Sequence, residues 1–142
     1  MGRVINTDST GKKRNQNMRT SAEILRRLSQ KSEIDAEAKD MLAALVYCFR
    51  EIDEGIEQSA QVWEKRDYWM KAEEFRQRWR WPGAYADELV AILFAENWAA
   101  LPPMMLKMFP LFKDIKITKL TRKESEWMGS YDRLIREEPP VK

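Results

Sequence analysis

The sequence predicts an all-α domain, a small helical bundle with one long central helix, short C-terminal helices and an extended basic N-terminal arm. Three observations carry that expectation. Ala38, Leu42, Leu45, Phe49, Ile52, Ile56, Ser59 and Trp63 recur at alternating steps of four and three, the seam of a long amphipathic helix. A threonine followed three residues later by a glutamate, the pairing that satisfies the first N–H groups of a helix, occurs at Thr20–Glu23 and again at Thr121–Glu124. Only 5 Gly and 6 Pro punctuate the 142 residues, and no apolar alternation finds a second strand to pair with.

Taken in order, residues 1–17 read as a flexible basic arm, because Val4 and Ile5 are their only large apolar side chains. Residues 18–137 read as a single helical domain and 138–142 as a tail. The first helix starts at the Thr20–Glu23 box and runs to about Gln30, with Ala22, Leu25 and Leu28 inward. Ser32 is the expected cap of the spine, Ile34 to Arg66, against which the first helix packs antiparallel. Gly55 lies inside that spine, either as a weak point or as a close helix contact. The apolar stripe changes face at Arg66–Tyr68 and continues as Tyr68, Ala72, Phe75 and Trp79, so a bend or break is expected there. Pro82 opens a helix carrying Tyr85, Leu89, Ile92 and Leu93 that ends at Asn97. Pro102 and Pro103 start a short Met-rich helix that Pro110 stops, and Asp114 to Leu120 form an extended connection. The last helix is expected from Thr121 to Pro139.

Composition narrows the function classes. A 16.9 kDa chain buries about 69% of its unfolded surface, enough for one core. No apolar run approaches the roughly 20 residues that span a bilayer, and the N-terminus lacks the apolar stretch of a secretory signal, so no membrane association is expected. Cys48 is the only cysteine, which leaves no disulfide within the chain and makes a cytoplasmic setting the expectation. There is no histidine, which removes His-based acid–base catalysis, His-containing triads and most transition-metal sites.

Charge is unevenly laid out behind a net +2. Residues 1–31 hold eight Lys and Arg against Asp8 and Glu23, residues 32–64 hold nine acids against Lys39 and Arg50, and residues 113–123 hold five bases against Asp114. Lys12, Lys13, Arg14, Arg19, Arg26 and Arg27 are therefore the candidate nucleic-acid contacts, cations for phosphates on an arm and one helix face. From Trp63 to Trp81 aromatic and basic residues alternate. Tyr68, Phe75 and Trp79 share a helical face and read as core, while Trp69 and Trp81 fall off it and, with Arg76 and Arg80, are the candidate partner-binding residues. Glu51, Asp53, Glu54, Glu57 and Gln58, or Glu73, Glu74, Asp87 and Glu88, are the carboxylate sets a Mg²⁺ site would need, although an acidic helix surface is usually only solvated. Cys48 has no adjacent base and reads as a packed thiol. Met104, Met105, Met108 and Phe109 either plug the core or line a protein groove.

The function class these features favour is a non-catalytic accessory subunit of a nucleic-acid-containing assembly, RNA in preference to DNA, with the arm on phosphates and the helical body on protein subunits. No cofactor is expected. The competing readings are a helical interaction module or homo-oligomeric scaffold built on the heptad seam, and third, a Mg²⁺-dependent nucleotide hydrolase.

Overall fold

In the computed structural model, which describes residues 7–138, a 30-residue helix α2 (Ala36–Lys65) is the axis of an all-α bundle. Five further helices surround it: α1 (Thr7–Ser29), α3 (Trp69–Arg78), α4 (Trp81–Ala95), α5 (Leu101–Met108) and α6 (Ser130–Glu137). Short 3-10 turns occupy Trp98–Ala100, Phe109–Phe112 and Glu124–Glu126, and no strand occurs among the described residues.

The seam of α2 is consumed inside the molecule. Ala38, Leu42, Leu45, Phe49, Ile52 and Ile56 are all buried, covered by α1, α4 and α6, with α3 on the C-terminal half. Each large side chain so enclosed contributes about 1.5–3 kcal/mol. Phe49 sits at the centre, its ring edge-on to Trp81 at 5.2 Å and stacked with Phe112 at 6.3 Å. Self-association through this seam, one of the competing readings, therefore has no exposed stripe to use.

Several boundaries differ from expectation, each for a physical reason. The N-cap of α2 is Asp35 and not Ser32: its carboxylate accepts from the Ala38 N–H at 2.8 Å and pairs with Lys31. The break after α2 falls where the stripe shifts, with Asp67 in the left-handed region at φ 63°. Gly55 is a close contact. A Cβ there would lie 3.1 Å from Cγ2 of Thr10, so the absent side chain lets α1 cross α2 closely.

The largest correction concerns the arm. Residues 7–17 are the first three turns of α1, while residues 1–6, like the tail at 139–142, lie outside the described residues. Lys, Arg and Gln are good helix formers, and the buried face from Met18 to Leu28 supplies the packing that propagates the helix backwards. Thr10 against Gly55, and Arg14 over the rings of Phe75 and Trp79, then hold these turns in place. Thr20 and Glu23 are consequently mid-helix and buried, not a cap. The last helix, by contrast, is shorter than expected, because Thr121 is engaged elsewhere and Gly129, at φ 82°, precedes α6. No helix among the described residues is long and apolar enough to cross a membrane.

Candidate nucleic-acid interface

The site is assembled around one buried acid. Glu23 is fully buried on α1, yet its carboxylate accepts from the backbone N–H groups of Thr121 and Arg122 at 2.7 and 2.8 Å and from the Thr121 hydroxyl at 2.9 Å. Arg19, one turn earlier, completes the set with an ion pair at 2.7 Å. Burial alone would push this carboxyl up. The hydrogen bonds from Arg122, Arg19 and Thr121 outweigh it and hold the group at about 2, so Glu23 stays ionised.

That anchor fixes the irregular segment 113–123 along α1, and arginines fasten the rest. Arg19 donates to the carbonyls of Lys116 and Lys119, Arg26 to that of Ile117, and Arg27 to that of Arg122. Arg122 returns a bond of 2.9 Å to the Thr20 hydroxyl, and the Arg27 guanidinium lies over the buried ring of Trp127. Ile115 and Ile117 turn inward toward Ala22, Leu25 and Phe112, so the intervening lysine faces out. The side-chain alternation read in the sequence is present, but its partner is a row of arginines rather than a strand.

Two basic stretches thereby become neighbours. Residues 12–27 contribute six Lys and Arg and residues 113–123 contribute five, against Asp114 and the enclosed Glu23. Lys12, Arg26, Lys113, Lys116, Lys119 and Lys123 are exposed. Lys12, Arg19 and Arg26 are spaced by sevens and so stand in one row along α1.

The residues expected to meet phosphates are thus divided. Arg19, Arg26 and Arg27 spend hydrogen bonds on the molecule's own carbonyls, a role the sequence analysis did not assign. Lys12 stays on the basic row. Lys13 and Arg14 turn to the α1–α2 seam, where Lys13 lines a hollow with Glu51, Glu54 and Gln58. The lysines of 113–123 were missing from the expected site. Their charge run was visible, but nothing local to it indicated that α1 lies alongside.

The expected partner-binding residues also separate. Trp69 is 60% exposed, beside exposed Tyr68 and Met70, and Arg80 is exposed as well. Trp81 is half-buried between Phe49, Phe112, Trp79 and Tyr85. Arg76, also half-buried, bridges Glu57 and Glu64, two turns apart on the face of α2 that α3 covers. Glu57 was weighed as a metal ligand against a solvated surface and Glu64 was given no role, although their spacing of seven was an available signal.

Neither carboxylate set forms a ligand group. No cluster of three or more metal-ligating side chains converges among the described residues, and Glu88 pairs with Lys107. Cys48 is buried, and that burial pushes its thiol up to about 12. The Met-rich run is divided: Leu101, Met104, Met108 and Phe112 are core, while Met105, Leu106 and Phe109 border a groove facing Leu28 and Ile34. No known protein family, curated protein or solved structure matches this chain.

Proposed function

We propose that this protein is a non-catalytic accessory subunit of an RNA-containing assembly, in which the face made by α1 and residues 113–123 lies on phosphates and the helical body docks on protein. The observation that carries the reading is the adjacency of the α1 row of Lys12, Arg19 and Arg26 to residues 113–123, whose five cations have a single acid, Asp114, among them. Holding like charges side by side is unfavourable without an anionic partner, and a polyanion supplies one through counterion release. RNA is preferred to DNA because residues 18–28 of α1 are covered by α2 on one side and by 113–123 on the other, leaving no bare helix for a major groove. Protein docking rests on the exposed corner at Tyr68, Trp69 and Met70. A cytoplasmic setting belongs to the same reading.

The test is purification from the native cell at low salt, with half the sample treated with RNase before sizing on a gradient. A large RNase-sensitive particle from which the Lys116→Gln/Lys119→Gln variant dissociates supports the reading. A nuclease-insensitive complex of the same size in both samples overturns it and leaves the helical interaction module.

A further inference from the structure

A second cationic feature lies between α1, α2 and α3 and shares Lys12 with the basic row of α1. It is a cleft of about 470 Å³ bordered by Lys12, Arg14 and Arg66, by the rings of Trp63 and Phe75, and by the polar side chains of Asn15 and Ser59. Among the described residues no carboxylate lines it. The nearby acids Glu57 and Glu64 are already paired to Arg76. Arg14 is the informative residue. Its guanidinium lies 5.0 Å from the Phe75 ring and 5.4 Å from that of Trp79, and one of its terminal nitrogens is buried with no hydrogen-bond partner. Burial lowers its pKa without any acid to offset it. Arg14 is half-buried, and a guanidinium nitrogen withdrawn from water normally meets a carboxylate or a phosphate, because an unmade charged hydrogen bond is costly.

We propose that this cleft binds a nucleoside phosphate, the three cations taking the phosphate and the aromatic wall taking the base. Each half of the ligand answers a different feature. Cations select an anion, and the side chains of Trp63 and Phe75 on the wall favour a planar ring. The volume suits a mononucleotide, since small-molecule sites run from about 300 to 1,000 Å³. The cleft shares Lys12 with the basic row of the RNA face, so the two readings are separated at Lys116 and Lys119, which do not border the cleft. A free nucleotide and the phosphorylated end of a strand present the same chemistry.

The experiment is a calorimetric titration of the full chain with AMP, inorganic phosphate and adenosine, with folding of each variant checked by circular dichroism. AMP should bind at least about tenfold more tightly than phosphate or adenosine, each of which offers half of the contacts. Lys12→Gln/Arg66→Gln, both exposed positions, should weaken AMP by about tenfold or more, whereas Lys116→Gln/Lys119→Gln, the same charge removed elsewhere, should leave it within about twofold. Arg14→Gln should also weaken it, and the exposed pair decides the matter if that variant does not fold. No heat with AMP at about 5 mM overturns the proposal, as does equal weakening by both double variants, which marks diffuse attraction. Equal affinity for AMP and phosphate overturns the base half. Displacement of AMP by a 5′-phosphorylated RNA hexamer upholds the cleft and assigns it to a strand end; failure to displace upholds it for the free nucleotide. Loss of particle association by Lys116→Gln/Lys119→Gln reports on the RNA face alone, so the two readings fail separately.

Discussion

Glu23 and Thr121 stand 98 positions apart and are joined twice, once through the Thr121 backbone N–H at 2.7 Å and once through its hydroxyl at 2.9 Å. Each belongs to a threonine–glutamate pair spaced as a helix cap, and neither caps a helix. The glutamate of the first pair has taken the donors of the second. The hydrogen-bonding capacity was read correctly from the residue types, but the partner was a tertiary one.

Replacing Glu23 with Gln should be among the more damaging single changes. The amide nitrogen is a donor facing donors from Thr121, Arg122 and Arg19, and it cannot balance the Arg19 charge. A loss of about 2–4 kcal/mol in urea unfolding is expected, together with proteolytic cleavage within 113–123 while α2 remains intact. Unchanged stability would remove Glu23 as the anchor.

Acid should release the same segment. Glu23 titrates near 2 in the folded chain against 4.5 ordinarily, so the unfolded state binds the proton first as pH falls. Its contribution, about 3 kcal/mol, is complete above about pH 5 and disappears progressively towards pH 2. Urea midpoints measured across that range for the natural chain and for Glu23→Gln should converge at the acid end. Parallel curves would contradict the assignment.

Much of the fold was legible because it depends on periodicity. The α2 seam, the break at Arg66–Tyr68 and the proline-led start of α4 are local properties of the residues that form them. The start of α1 was not legible, since Lys12 to Asn17 have no apolar face of their own and are helical through Arg14 on α3 and Thr10 on α2. The site was half legible. The positive charge of both segments was plain in the sequence, but their adjacency rests on Glu23, whose neighbours Ile24 and Leu25 were the only sign of its burial.

Gly55 and Thr10 should be energetically coupled. Gly55→Ala gains about 1 kcal/mol of helix propensity but places a methyl 3.1 Å from Thr10 Cγ2. In the natural chain the two effects should largely cancel. In a Thr10→Ala background the full gain of about 1 kcal/mol should appear. The same change in both backgrounds would mean that α1 does not cross α2 at this glycine.

Cys48 should be inert toward a disulfide reagent at pH 8, since burial keeps the thiol protonated up to about 12. Labelling should follow global unfolding in urea. Rapid labelling of the native chain would place the thiol outside the core.

The clamp on Glu23 also sets an order of events during synthesis. Its donors are made 98 residues later, which at about 5–20 residues per second is a wait on the order of 5–20 s. Throughout that interval a nascent chain carries α1 with Glu23 paired to Arg19 alone and with the basic row of Lys12, Arg19 and Arg26 uncovered. The packing of α1 is therefore completed only after residues 121 and 122 have been made.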